Sequence, residues 1–172
     1  MLETPAPAAF TVRQLTGEDA AVYHALRLRS LAEEPCAFGI TVAQELPLPE
    51  MAARLQDPRH YFSGAFLREK LVGFVRLSYY FSPNKSHLAY LGGLYVTPDH
   101  RGLGIGKSLS LHAIKQASSR PGLRKVNLSV VTHCKPAIQL YETLGFVTFG
   151  TDRETFSHEG LYYDEHMMTL IL

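Results

Sequence analysis

The segment TPDHRGLGIGKSL, residues 97–109, sets three glycines at alternate positions, Gly102, Gly104 and Gly106, directly ahead of Lys107 and Ser108. Glycines at this spacing let consecutive backbone amides close on an anion, and two kinds of phosphate-binding turn come into question. A nucleoside-triphosphate loop needs a glycine five residues before the Gly106-Lys107-Ser108 triplet, and that position is Arg101. A dinucleotide fingerprint needs its third glycine three residues after the second and a place near the first strand of its domain; neither condition holds. What remains is a three-glycine turn opening a helix, with amides from Gly102 to Lys107 free to converge on an anion beside the positive end of the helix dipole. A diphosphate fits there without a metal. The same glycines would also serve a helix start that binds nothing; Arg101 and the helix that follows favour the ligand.

Such a turn has to be presented by the elements around it. Residues 1–9 are rich in Pro and Ala and read as a tail, and Phe10, Val12 and Leu15 suit a first strand. Thr16 can cap a helix with Glu18 and Asp19 in its first turn, and Ala21, Val22, Ala25 and Leu28 predict its buried stripe, ended by Pro35. A second, short helix lies in PLPEMAARLQDP between Pro49 and Pro58. The runs YFSGAFLRE, KLVGFVRLSYYF and SHLAYLGGLYV then predict an antiparallel meander, its first turn at Glu69-Lys70. Beyond the glycine turn, Ile105, Leu109, Ala113 and Ala117 recur at helical spacing, Pro121-Gly122 breaks the chain, and Val126, Leu128 and Val130 alternate as a strand. A strand–helix–strand crossover makes parallel neighbours, so a mostly antiparallel sheet acquires a parallel pair beside the glycine turn. Pro136 opens a last helix with Ala137, Leu140, Tyr141 and Leu144 as its stripe and Gly145 as its stop, before two closing strands.

Composition narrows the partners. The 172 residues are 46% hydrophobic and 19% charged with a net charge of +1, which suits a single domain over residues 10–172 and gives no electrostatic footprint for nucleic acid or an anionic membrane. The two cysteines, Cys36 and Cys134, form neither a disulfide framework nor a metal pair, and no leader or membrane-spanning run is visible, so a reduced, cytoplasmic setting is expected. The eight histidines are scattered without a His-Glu-x-x-His array, so no metal is expected, and no Gly-x-Ser-x-Gly elbow points to a serine hydrolase.

RGLGIG resembles the Arg/Gln-x-x-Gly-x-Gly/Ala signature of the GNAT superfamily of acyl-CoA-dependent N-acetyltransferases; LYVTPDH is similar to the strand before that signature, and PAIQLYETLGF to the family's later helix. The resemblance covers residues 10–172 and implies a GNAT-like α/β fold, a mixed, mostly antiparallel central sheet with a parallel splayed strand pair and flanking helices. It also implies acetyl-CoA as acyl donor, its pyrophosphate held by Arg101, Gly102, Leu103, Gly104, Ile105, Gly106, Lys107 and Ser108. Leu94, Tyr95 and Val96 would offer backbone groups to the pantetheine arm, with the Val96 amide on the thioester oxygen. Tyr141 matches the tyrosine of the family's Leu-Tyr-Glu segment, and its phenol, of pKa about 10, could protonate the departing thiolate; periodicity alone would leave it in the core.

Two positions depart from the pattern. Where many relatives carry an asparagine that helps hold the coenzyme, this chain has Cys134, which beside His133 could instead serve as an acyl-carrying nucleophile. Where several carry a strand glutamate as general base, it has Tyr90, which makes His87 a candidate base. The acceptor groove implied by the resemblance would draw on Glu33, Glu34, Phe38, Glu45, Tyr162, Tyr163 and Asp164, an acidic bias that favours a cationic amine. The expected reaction is direct transfer of acetyl to a primary amine of a small molecule or peptide in a ternary complex, in a family where homodimers are common. The competing class is a coenzyme A-binding regulatory module that has lost turnover.

Overall fold

Thr16 and Asp19 fix how the chain leaves its first strand. The Asp19 carboxylate accepts the Thr16 amide at 2.8 Å and both guanidinium nitrogens of Arg13 at 2.7 and 2.8 Å, tying the first helical turn to the strand behind it. The structure, a computed structural model, describes residues 9–172, so the tail expected over residues 1–9 lies outside the described residues except for Ala9. In chain order the elements are β1 (Phe10–Gln14), α1 (Ala20–Glu33), α2 (Leu48–Gln56), β2 (His60–Leu67), β3 (Lys70–Tyr79), β4 (Leu88–Val96), α3 (Ile105–Ser119), β5 (Lys125–Val131), α4 (Lys135–Thr143), β6 (Val147–His158) and β7 (Leu161–Ile171). This is the order expected, with β6 running well past the FVTFG segment.

The seven strands form one mixed sheet in the order β1-β2-β3-β4-β5-β7-β6, antiparallel throughout except between β4 and β5. Strand alternation buries both faces. Ile105, Leu109, Ala113 and Ala117 of α3 are all buried, packing on one face with Val75, Leu77, Leu91, Val126 and Leu128. Phe62, Phe66 and Phe74 meet Tyr23, Leu26, Met51 and Leu55 of α1 and α2 on the other. Tyr23 lies edge-on to both Phe62 and Phe74, 5.3 and 5.0 Å between centroids, which locks α1 to the middle of the sheet.

The stripe expected on α1 is in the wrong phase. Tyr23, Leu26, Arg27, Ser30 and Leu31 are buried, and Val22 is 50% exposed. Two polar residues, Arg27 and Ser30, stand on the buried face, so the apolar period that sequence reading relies on is broken where the helix turns inward.

The parallel pairing of β4 with β5 is short: Leu88, Ala89 and Tyr90 pair with Lys125, Val126 and Asn127, after which the strands part. Each remains committed to its other neighbour, β5 to β7 as far as Val131 opposite Glu165, and β4 to β3 as far as Val96 opposite Gly73. Between Phe74–Tyr95 and Arg76–Gly92 the register shifts, with Gly93 at φ +68°, a left-handed conformation that glycine adopts without strain. Such a bulge bends and twists its strand, here within the stretch that has left β5.

Candidate active site

The open side of β4 carries unpaired backbone groups. Thr97 donates its amide to Val72 on β3 at 2.9 Å, so strand alternation turns the Val96 amide toward the gap left by β5. The chain then turns through Arg101 to Gly104 into α3, with Gly102 and Gly104 at φ +78° and +79°. A Cβ on either glycine would meet nothing within 4 Å, so the surface over the turn is clear for a ligand. The helix start leaves its first amides without intrahelical acceptors, except that Ser108 already donates to the Gly104 carbonyl at 3.0 Å. Ile105 is buried and Leu103 is 49% exposed, so backbone rather than side chain is what the first can offer an anion. These features fit a diphosphate, with Gly102, Leu103, Gly104, Ile105, Gly106 and Lys107 presenting the amides. Ser108 has only its hydroxyl left to add.

Arg101 faces the protein. Its Nε donates to the Val96 carbonyl at 3.0 Å and its Nη2 to Glu34 at 2.8 Å, so it braces the turn against the ends of β4 and α1. Tyr95 likewise sends its side chain to the α1 side, where its hydroxyl donates to Glu33. Only its backbone is available at the gap.

Tyr141 of α4 belongs to the core cluster against which Leu94, Val96 and Cys134 pack, 7% exposed and edge-on to Phe146 at 5.8 Å between centroids. Burial, then the neighbouring Cys134 and Tyr90, push its phenol well above the ordinary tyrosine value, so it stays protonated at neutral pH. Cys134 is the half-buried residue that caps α4, its carbonyl accepting the amides of Ala137 and Ile138 at 3.1 Å.

On the opposite side a cavity of about 350 Å³ opens between α1, α2 and the parted strands. Tyr23, Phe38, Met51 and Phe62 give it apolar walls, and Arg27, Arg54 and Arg76 enter from three separate elements. Arg27 donates from Nε to Glu45 at 2.8 Å and lies over the Phe38 ring at 4.4 Å. Among the described residues the Nε of Arg76 and the Nη1 of Arg27 are buried without a hydrogen-bond partner. At the end nearest the gap, the Tyr90 hydroxyl is 2.7 Å from Ser129 Oγ and accepts the Ser129 amide at 3.1 Å, and Ser129 Oγ donates to Glu165 at 3.2 Å. Burial, with some help from Asp152, holds the Glu165 carboxyl above the ordinary glutamate range despite the Ser129 bond.

Leu94, Val96 and Cys134 pack against the cluster that holds Ile105 and Tyr141, and Gly106 of the turn faces Leu94 and Val96. The structure does not bring His87 to this group: that residue is exposed where β4 begins, about 10 Å of strand before Tyr90, and its carbonyl takes the amides of Arg124 and Lys125. The acidic bias expected of the acceptor groove is also absent as free charge. Glu33 pairs with Arg29 at 2.6 Å, Glu34 with Arg101 at 2.8 Å, Glu45 with Arg27 at 2.8 Å and Asp164 with Arg153 at 3.7 Å. Sequence reading missed Arg76, Ser129 and Glu165. The signal for Arg76 was an arginine inside the apolar run KLVGFVRLSYY; Ser129 and Glu165 carry none, since only strand pairing across 36 residues joins them.

Comparison with known proteins gives the chain's family. The profile of the acetyltransferase (GNAT) family matches residues 26–146, and the chain belongs to that family, whose acyl donor is acetyl-CoA. It is 31% identical over 157 residues to the mycothiol acetyltransferase of Thermomonospora curvata, covering 87% of this chain and 48% of that protein. It is 34% identical over 152 residues to the mycothiol acetyltransferase of Streptomyces scabiei, covering 85% and 46%. The chain therefore spans about half the length of these curated relatives. Among solved structures, the fold is shared with an acetyltransferase of the GNAT family from Streptococcus pneumoniae, at TM-score 0.87 and 24% identity over 95% of this chain and 100% of that one. It is shared as well with yncA from Salmonella typhimurium, solved with its cofactor acetyl-CoA, at TM-score 0.84 and 17% identity over 95% and 94%. Among the described residues no helix is long and apolar enough to cross a membrane, and no cluster of His, Cys, Asp and Glu could hold a metal.

Proposed function

We propose that this chain transfers an acetyl group from acetyl-CoA to a primary amine by direct attack with both substrates bound at once. The observation that carries the reading is the gap between β4 and β5, which leads along β4 to the glycine turn and opens to the cavity at Tyr90, Gly92 and Gly93. Acetyl-CoA supplies an activated thioester. The amides from Gly102 to Lys107 hold its pyrophosphate with the help of the α3 dipole, and Leu94, Tyr95 and Val96 guide the pantetheine arm through backbone groups. The Val96 amide, aimed into the gap, donates to the carbonyl oxygen as charge gathers there.

Two proton movements complete the exchange. The attacking nitrogen forms its bond to the acetyl carbon while the carbon–sulfur bond breaks, and the nitrogen must lose one proton while the sulfur gains one. Glu165 receives the first, with Ser129 and Tyr90 in line between it and the gap; its raised pKa makes it a stronger base than an exposed glutamate. Tyr141 gives the second. Glu165 takes the place proposed from sequence for His87, because it lines the cavity and His87 does not.

The test is the melting temperature of the purified protein with acetyl-CoA, coenzyme A or magnesium-ATP, followed by thiol release with a panel of amines. Stabilisation by both coenzymes and not by ATP supports the glycine-turn assignment, because a ligand selective for the folded state raises stability with its concentration. Thiol release with at least one amine supports turnover. Coenzyme binding without release from any amine would favour a regulatory binding module instead.

A further inference from the structure

Three guanidinium groups enter one cavity, and the carboxylates near them do not balance their charge. Glu45 is committed to Arg27 through Oε2 and accepts the Leu46 amide on Oε1. Glu165, the other acid in the lining, accepts from Ser129, and even ionised it leaves two carboxylates against three guanidinium groups. Among the described residues Arg54 and Arg76 form no ion pair and Arg76 Nε has no hydrogen-bond partner. A guanidinium stays charged at working pH, and a buried charge without a partner is costly. Phe74 and Arg76 alternate onto the same face of β3, so the position that continues the Phe62–Phe74–Tyr23 packing holds a cation. An apolar residue would pack there. A charge retained in a cavity wall, with its fork open, is matched by a planar or tetrahedral oxyanion that can accept two parallel hydrogen bonds.

We propose that the acceptor amine carries an oxyanion, a carboxylate or a phosphate, and that Arg76 binds it with Arg54 and Arg27 alongside; that the amine is then acetylated rests on the transferase reading above. The two ends of the cavity divide the work. The amine addresses Tyr90, Ser129 and Glu165 near the gap, the oxyanion addresses the arginines, and Tyr23, Phe38, Met51 and Phe62 enclose an apolar body between them. A volume of about 350 Å³ sits at the lower end of small-molecule sites, which suits a molecule of amino-acid size. This reverses the cationic acceptor expected from the acidic residues in the sequence, because those acids are already paired.

The experiment is calorimetric titration of protein saturated with coenzyme A, using two matched pairs of probes: methionine against methionine amide for a carboxylate, and O-phosphoethanolamine against ethanolamine for a phosphate. In at least one pair the oxyanion member should bind about 10- to 100-fold more tightly than its partner. Arg76→Met should bring that ratio near one, and Arg54→Gln should reduce it. Unchanged coenzyme A affinity in both variants shows that they are folded. Equal or tighter binding of the uncharged partners, a ratio that survives Arg76→Met, or no binding of any probe at millimolar concentration overturns the proposal. Thiol release from acetyl-CoA separates the two readings. Oxyanion-selective binding without release keeps the anion site and refutes the transferase, whereas release that prefers methionine amide or ethanolamine keeps the transferase and refutes the anion site.

Discussion

Replacing Arg76 with methionine should make the folded protein more stable while it impairs the cavity. Arg76 brings a guanidinium into the wall of the cavity, where its Nε finds no acceptor among the described residues. Burial, then the like charges of Arg54 and Arg27, depress its pKa. A buried donor left unsatisfied costs about 1–3 kcal/mol. Methionine keeps an unbranched chain of similar length that can lie along Tyr23 and Phe62 without a donor to satisfy. In a domain of this size each kcal/mol moves the melting temperature by about 2–4 °C, so the expected rise is about 2–12 °C. Calorimetric melting of the two proteins without ligand, at the same pH and salt, measures it. A fall in melting temperature would refute the reasoning, because it would mean that the guanidinium stabilises the folded chain and is a structural group rather than one held open for a ligand.

Tyr141→Phe should lower kcat/KM by about 100-fold or more, the usual size of a general-acid contribution, with the melting temperature unchanged because the ring keeps its contact with Phe146; undiminished turnover would remove the proton-donor role. For Glu165, burial raises the folded pKa, so the ionised, proton-accepting form is lost as pH falls through a value above the ordinary glutamate pKa of 4.5, and kcat/KM should decline along that limb. Glu165→Gln should flatten the limb, and because a raised pKa favours the fold only while the group is protonated, the same variant should be no less stable than the parent at neutral pH. Asp19 has the opposite sign: Arg13 first, with the Thr16 amide, holds its pKa below 3.8, so its contribution is present above that value and is lost as pH falls through the lower folded one. Asp19→Ala should cost about 0.5–2 kcal/mol at pH 7 in urea unfolding, in line with loss of a helix cap, and a variant as stable as the parent would show that β1 and α1 are held together otherwise.

Much of the backbone of the proposed coenzyme half was legible because it is local. Three alternating glycines ahead of a helix carry their own conformational requirement, and Gly102 and Gly104 adopt the left-handed backbone that the spacing implies. The stripe Ile105, Leu109, Ala113 and Ala117 is buried as its period demanded. The α1 stripe failed for the converse reason, since Arg27 and Ser30 occupy inward positions for which no period speaks.

The amino-acid sequence by itself determined the order of helices and strands, the parallel crossover around the glycine turn, the left-handed glycines of that turn and the placing of a tyrosine on α4, each of which depends on neighbours within a few turns of chain. Only the tertiary structure decided where the charges stand. Pairing of β5 with β7 sets Ser129 beside Glu165, and parting of β4 from β5 opens the gap between them. Packing of α1 and α2 on the sheet gathers Arg27, Arg54 and Arg76 around one cavity, where Glu45 pairs with Arg27 and leaves the other two without an ion pair among the described residues. Charge interacts through space rather than along the chain, so a count that comes to +1 over the whole sequence could not foretell a cavity lined by three guanidinium groups and two carboxyls.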